Sequence, residues 1–400
     1  MPRFFCGITA VPWYNGHMKK LIFTTGILPA LDYFTDSLMS ACERNGWPYT
    51  VARMGEELTG QQFATWVTSG EDCAVVMFNN VGLGLTMGER NFWEAHHVPV
   101  HDILVDHPRA FYKYLDTPIA GLRFYCIDRN HVSYVRRFYP RAEVSFLPHG
   151  GDRAGEEIPW EERPCDVLLV SSCQGRQQFF HIERLPDKGA SFYAMLIPAL
   201  IEQDTVTTEA AIRSYLAQEG LIDDALEKHL NEEYAFAVES RVRREYKKPL
   251  MRAMSDARIR MEVYGGNWDD EGEQYFEGIH LHERISARDC NLLMPGAKFA
   301  LNAMPWFKDG SHERIYNAMC NGAIAVTDRS VYLDETLTDG ENVIFYDRKH
   351  PEEAAQRIRY LLSHPEEAAQ IAERGRQYAE KEGTWEKRLL QIIDDQSVPY

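Results

Sequence analysis

Short apolar runs alternate along the chain with longer stretches of helical period, and this alternation sets the expectations for the fold. Leu21-Ile22-Phe23-Thr24-Thr25-Gly26 reads as a strand stopped by glycine, residues 31–45 as a helix stopped by Gly46, residues 47–52 as a strand and residues 59–68 as a helix. Cys73-Ala74-Val75-Val76-Met77-Phe78 is a buried strand ending in two amides, Asn79 and Asn80. Further strands follow at residues 98–105, 124–128 and 143–148, with a helix through His131 and Tyr139 between the last two. Strands alternating with helices predict a parallel sheet covered on both faces, and such sheets bind ligands outside the carboxyl ends of their strands. Gly26, Asn79, Asn80, Asp106, His107, Asp128 and His149 stand at those ends. Asp106 and His107 together offer a carboxylate and an imidazole for acid/base work.

The pattern restarts after a polar link. Pro148-His149-Gly150-Gly151-Asp152-Arg153 and Glu162-Arg163-Pro164 are rich in turn residues, which puts a domain boundary at 151–164. Cys165-Asp166-Val167-Leu168-Leu169-Val170 is the next strand, and Ser171-Ser172-Cys173-Gln174-Gly175-Arg176 after it resembles a phosphate cradle with one glycine. Residues 189–256 are helical in pattern and predict an insertion in the second domain; their basic run Arg241-Val242-Arg243-Arg244-Glu245-Tyr246-Lys247-Lys248 reads as a solvated helix face. Strands are expected at 260–264, 278–282 and 297–302, and helices at 351–363, 365–381 and 384–394. After the first of these strands, Gly265-Gly266-Asn267-Trp268 turns sharply, with glycines for close backbone approach and an indole able to stack on a ring. The resulting division is a candidate extension at 1–17, a first domain at 18–150, the link, a second domain at 165–383 and a final helix at 384–400, a candidate to cross back to the first domain.

The stretch from Asp309 to Asp328 concentrates the chemistry. Asp309-Gly310-Ser311-His312 supplies loop and cap residues, a short helix follows, Asn321-Gly322 stops it, and Ala323-Ile324-Ala325-Val326 is a buried strand. A loop feeding a helix start beside such a strand is a natural anion site. Asp309, Glu313 and Asn317 share one helix face, opposite Ile315, Ala318 and Met319.

Composition narrows the partners. A net charge of −17 and a pI of about 5.3 argue against nucleic acid or an anionic membrane as the main partner. No apolar run approaches a membrane span, and the start lacks a secretory pattern. The eight cysteines have no metal-ligand spacing, which fits reduced thiols and a cytoplasmic location.

The order Leu-Pro-His-Gly (147–150), Asp-Val-Leu-Leu-Val-Ser-Ser (166–172), Tyr-Gly-Gly-Asn-Trp (264–268), Ala-Lys-Phe-Ala-Leu-Asn (297–302), Glu-Arg-Ile-Tyr-Asn-Ala-Met-Cys-Asn-Gly-Ala (313–323) and Gly-Thr-Trp-Glu-Lys-Arg (383–388) resembles the group-one glycosyltransferases of GT-B fold, in particular the spore-maturation-protein-like branch. The resemblance is specific over 145–395 and loose before it. It implies an α/β chain of two facing Rossmann-like domains, with a nucleotide-sugar donor held by the second domain and an acceptor (glycan, protein or small molecule) held by the first. On that reading Ser172, Arg176, Gly265, Gly266, Asn267, Trp268, Lys298, Asp309, Gly310, Ser311, His312, Glu313 and Asn317 bind the donor. Arg314 holds its phosphate, and Gly26, Asn79, Asn80, His149 and Gly150 lie on the joint or acceptor side. Asp106 and His107 are the acid/base candidates. The family places glutamate where this chain has Asn317, which has one acceptor oxygen rather than a carboxylate's two. No cofactor is implied beyond the donor as substrate; the expected chemistry is metal-independent and retaining. The competing expectations are a catalytically inactive nucleotide-sugar sensor or scaffold, and a nucleotide-sugar epimerase.

Overall fold

The computed structural model describes residues 20–55, 65, 73–174, 187–203, 205–269, 272 and 274–396. In the first unit, strands β1 (Lys20–Thr25), β2 (Tyr49–Arg53), β3 (Cys73–Phe78), β4 (Val100–Leu104), β5 (Leu122–Cys126) and β6 (Glu143–Phe146) form one parallel sheet in the order β2-β1-β3-β4-β5-β6. Helices α1 (Pro29–Asn45) and α2 (Arg129–Phe138) pack against it. Pro29 opens α1, where its missing N–H is harmless, and Gly46 closes it in the left-handed region at φ 67°. The helix expected at 59–68 lies almost wholly outside the described residues, as do the candidate extension at 1–17 and Arg176.

The second unit repeats the architecture. Strands β7 (Cys165–Val170), β8 (Met261–Tyr264), β9 (Ile279–His282), β10 (Ala297–Leu301), β11 (Ile324–Thr327) and β12 (Ile344–Phe345) pair in parallel in the order β9-β8-β7-β10-β11-β12. Burial of Val167, Leu168 and Leu169 in β7, and of nearly all of β10 and β11, explains their apolar runs, because helices cover both faces. Between β7 and β8 the chain forms α3 (Asp187–Glu202), α4 (Thr208–Gln218) and α5 (Asp224–Asp256). These three helices bury a core of their own, with Phe192, Leu196, Leu200, Ile212, Leu216, Val238 and Val242. At 33 residues α5 is roughly 50 Å long, enough to run from that core to the sheet of the second unit. Helices α6 (Ala287–Leu293), α7 (Glu313–Cys320), α8 (Pro351–Leu362), α9 (Pro365–Glu382) and α10 (Trp385–Gln396) complete the chain.

The two units touch along a line that the site uses. Trp385 of α10 is buried against Phe34 and Phe78 of the first unit, and Glu386 pairs with Arg44 at 3.0 Å. The link threads between α7 and α10: a Cβ on Gly150 would fall 2.5 Å from the Trp385 nitrogen, and one on Gly151 would fall 2.4 Å from the Tyr316 carbonyl carbon. Both glycines are therefore set by close approach of protein backbone. No described helix is long and apolar enough to cross a membrane.

Candidate functional site

Residues at the carboxyl ends of the two sheets come together, and the junction between them is the candidate cleft: Asp106, two residues after β4, has Arg243 and Glu313 of the second unit among its charged neighbours. On the second unit's side, His312 caps α7: its Nδ1 accepts from the Arg314 backbone N–H at 3.4 Å. Nδ1 also accepts from Arg314 Nε at 3.3 Å and lies 2.5 Å from the Glu313 carboxylate, while Arg314 Nη2 lies 2.9 Å from Nε2, so the ring is held between the guanidinium and the carboxylate. Burial pushes His312 down to about 4, with Arg314 adding to the effect against the pull of Glu313. Burial alone would raise Glu313, but His312, His149 and Arg314 hold its carboxyl far below the usual range. Arg314 Nη1 donates to the Val170 carbonyl at the end of β7 (2.7 Å), so the guanidinium is pinned at the carboxyl edge of the sheet.

Two further cations come from α5. Lys247 Nζ donates to the Ser172 carbonyl at 2.7 Å, and its ammonium is pushed down to about 7 by burial and then by Arg314 and Arg243. Arg243 lies over the Trp306 ring, 3.0 Å from its centroid, and burial lowers it to about 10 with Glu239 and Asp106 pulling the other way. Val242, Arg244, Tyr246 and Lys247 are all buried. The run 241–248 is thus not the solvated face expected of it. The residues Val242, Tyr246 and Leu250, four apart, form a buried seam that carries the intervening basic groups inward. That i, i+4 apolar spacing was the available signal for Arg243 and Lys247.

On the first unit's side, Asn79 stands in the left-handed region (φ 48°); its Oδ1 accepts from the Val105 N–H and its Nδ2 donates to Asp106 Oδ2, both at 2.9 Å. Asp106 reaches solvent inside the cleft; the surrounding protein raises its pKa, while Arg243 and Asn79 pull it back. His107 does not share this position. Its Nδ1 accepts from the Arg109 N–H, so Nε2–H donates to Glu209 Oε1 of α4 at 2.6 Å. His107 therefore belongs to a contact between the units and not beside Asp106.

Several other sequence expectations resolve differently. Trp268 is buried, its indole N–H donates to the Ser171 carbonyl at 2.7 Å, and its ring packs in the second unit's core, so it is not available to stack on a base. A Cβ on Gly265 would lie 2.4 Å from the Ser171 oxygen, so backbone packing requires that glycine, whereas Gly266 faces open space. Gly266 N donates to Ser172 Oγ (3.2 Å) and Asn267 Nδ2 to the Cys173 carbonyl (3.1 Å), which ties this turn to the loop after β7. Lys298 stands near the amino end of β10, away from the cleft, paired with Asp166 at 2.9 Å. Asp309 and Gly310 dock on the first unit: Asp309 N donates to Asp128 Oδ2, Asp309 Oδ1 accepts from Arg129, and a Cβ on Gly310 would lie 2.3 Å from the Ile127 oxygen. Asn317 is buried, and its Oδ1 accepts from the Asp152 N–H at 2.9 Å, so it points at the link. Glu313, not position 309 or 317, is the α7 carboxylate set in the cleft cluster. Ser311 is fully buried.

At the joint, His149 is buried among Phe34, Phe307, His312 and Trp385, with Nε2 3.9 Å from Glu313 and burial pushing it down to about 3. Gly26 (φ 95°) donates its N–H to Asp32 Oδ1 at the rim. The Asn80 N–H donates to buried Asp102 while its side-chain amide finds no partner among the described residues. Among those residues no group of three or more His, Cys, Asp or Glu is arranged to hold a metal ion.

Residues 243–394 match a family model described as glycosyl transferase-like. Among solved structures, an alpha-glucosyltransferase in complex with UDP and a 13-mer DNA superimposes with a TM-score of 0.53 at 10% identity, covering 94% of this chain and 99% of that one. Sucrose-phosphate synthase from Thermosynechococcus elongatus (TM-score 0.49, 11% identity, 95% and 98% covered) and Anabaena HepE in complex with UDP and glucose (0.49, 13%, 96% and 100%) are also similar. No curated protein matches the sequence. The chain has the GT-B fold of two Rossmann-like units, and residues 243–394 of its second unit are similar to glycosyl transferase-like domains.

Proposed function

We propose that this protein is a glycosyltransferase that transfers the sugar of a nucleotide-sugar donor to an acceptor hydroxyl in the cleft between its two units. The observation that carries the reading is the convergence at the carboxyl edge of the second sheet of Arg314, held on the Val170 carbonyl, and Lys247, held on the Ser172 carbonyl, with Arg243 close enough that it and Arg314 both lower Lys247. Like charges gathered in a partly buried site are costly alone and are relieved by an anion. A donor diphosphate supplies that charge, and more of it develops as the sugar–phosphate bond breaks. Guanidinium and ammonium groups already fixed by the Val170 and Ser172 carbonyls stabilise it without reorganising. Gly266, which faces open space, leaves room for the nucleoside beside the same loops.

Asp106 faces Arg243 across the cleft and is held by Asn79, so it orients the acceptor hydroxyl over the sugar. We propose transfer with retention and without a metal ion, the diphosphate being neutralised by these side chains. One observation favours a second reading, a nucleotide-sugar sensor: the Asn317 oxygen that would meet the donor ribose is occupied by the Asp152 N–H. A panel of nucleotide sugars, each incubated with sugar, lipid-like and peptide hydroxyl acceptors, separates the two. Release of nucleoside diphosphate together with a glycosylated product supports the transferase. Donor binding without turnover across the acceptor panel supports the sensor.

A further inference from the structure

The helices between β7 and β8 do more than extend the second unit. Their acidic side chains meet basic groups of the first unit along one face. Arg137 pairs with Glu227 (2.5 Å) and Asp224 (2.6 Å), His107 with Glu209, and Arg109 with both Glu209 (3.1 Å) and Glu239. Most of these contacts dock one unit on the other. Arg109–Glu239 differs in position. Glu239 lies one helical turn before Arg243 on α5, and Arg109 lies three residues after Asp106 in the short turn that follows β4. Glu239 is also fixed from a second side, because Thr208 Oγ1 donates to its Oε1 at 2.8 Å. Arg109 is itself buried and held by Glu209, so neither end of the pair can swing freely.

We infer that Glu239 is a positioning residue of the cleft: by gripping Arg109 of the first unit one turn from Arg243, it sets where Arg243 stands relative to Asp106. The inference rests on the proposed donor-phosphate role of Arg243. Without the Glu239 side chain, Arg109 keeps Glu209, but α5 loses its anchor beside the cleft. Arg243 then turns further onto Trp306 or toward Asp106 and presents less of its guanidinium to an anion.

The test uses the full chain and inorganic pyrophosphate as the probe, with affinity measured by calorimetry. Removing one well-placed charged contact from a buried site typically costs about tenfold or more in affinity. Glu239→Ala and Arg243→Ala are each expected to weaken pyrophosphate binding by about that factor, and the double variant by no more than the larger single loss, the signature of one residue acting through the other. Arg137→Ala, which breaks a docking pair far along the same face, is expected to bind pyrophosphate as the wild type does. Additive losses in the double variant, wild-type binding in Glu239→Ala, or an equal loss in Arg137→Ala would each overturn the inference while leaving the phosphate site standing. A wild-type protein that does not bind pyrophosphate would instead remove the donor-phosphate reading, and this inference with it. Glu239→Gln, which keeps the hydrogen bonds and drops the charge, should recover most of the affinity lost in Glu239→Ala.

Discussion

Lys247 makes donor binding depend on pH in a way that can be worked from the site. In the empty cleft its ammonium is pushed down to about 7 by burial and by Arg314 and Arg243. A diphosphate placed against it restores the charged form. One unit charge at about 4 Å and an effective dielectric near 20 contributes roughly 4 kcal/mol, or about 3 pKa units, so the bound value returns to about 10. A group whose pKa rises on binding supports the complex below its free value and loses that support as pH climbs toward its bound value. Affinity for a nucleotide sugar is therefore expected to be flat below about pH 7 and to fall by about 50-fold between pH 7 and 9, about 2.3 kcal/mol. The bridging diphosphate of a nucleotide sugar has no proton of its own to lose there, so binding at pH 8 should take up close to one proton (about 0.9). Calorimetry in buffers of different ionisation enthalpy measures both quantities. Lys247→Met should bind more weakly at pH 7 and show neither the slope nor the proton uptake. A wild-type affinity that does not change across this range, or the same slope in Lys247→Met, would refute the reasoning.

Other outcomes follow from the same geometry. Arg314→Ala should lower the transfer rate by about 100- to 1,000-fold, the usual loss for one transition-state donor, and a circular-dichroism melt should show the protein still folded. Asp106→Asn should keep at least about a tenth of the rate if the residue only orients the acceptor; a loss of about 1,000-fold, with inversion at the anomeric carbon seen by proton NMR, would make Asp106 the catalytic base of an inverting enzyme. Gly310→Ala places a methyl group 2.3 Å from the Ile127 oxygen, so it should destabilise the contact between units by about 1–3 kcal/mol, read as a lower denaturant midpoint.

Much of the scaffold was legible because parallel strands buried on both faces write themselves as short apolar runs, and glycines and prolines mark the helix ends. The stretch from Asp309 to Thr327 was legible as a polar loop, a short helix and a buried strand, because its cap residues and Asn321-Gly322 mark the helix ends. What was not legible is where each side chain on that stretch points. Asp309, Gly310 and Asn317 lie within a few residues of Glu313 and Arg314, yet the first two meet Asp128 and the third meets Asp152, partners more than 150 residues away in sequence. Trp268 was misjudged because a tryptophan after a glycine turn looks the same whether its indole meets a ligand or, as here, the Ser171 carbonyl. The basic run on α5 was hidden by its composition: charge counted along the chain says solvent, while the 3.6-residue period places Val242, Tyr246 and Leu250 in a buried seam.

The central claim is that the cleft holds the diphosphate of a nucleotide sugar. Equilibrium binding of a nucleotide-sugar panel to the wild type and to Arg314→Ala tests it most directly. The account predicts that at least one nucleotide sugar binds the wild type, and that Arg314→Ala weakens that binding by about tenfold or more. Binding of no member of the panel, or equal affinity in the two proteins, would contradict it.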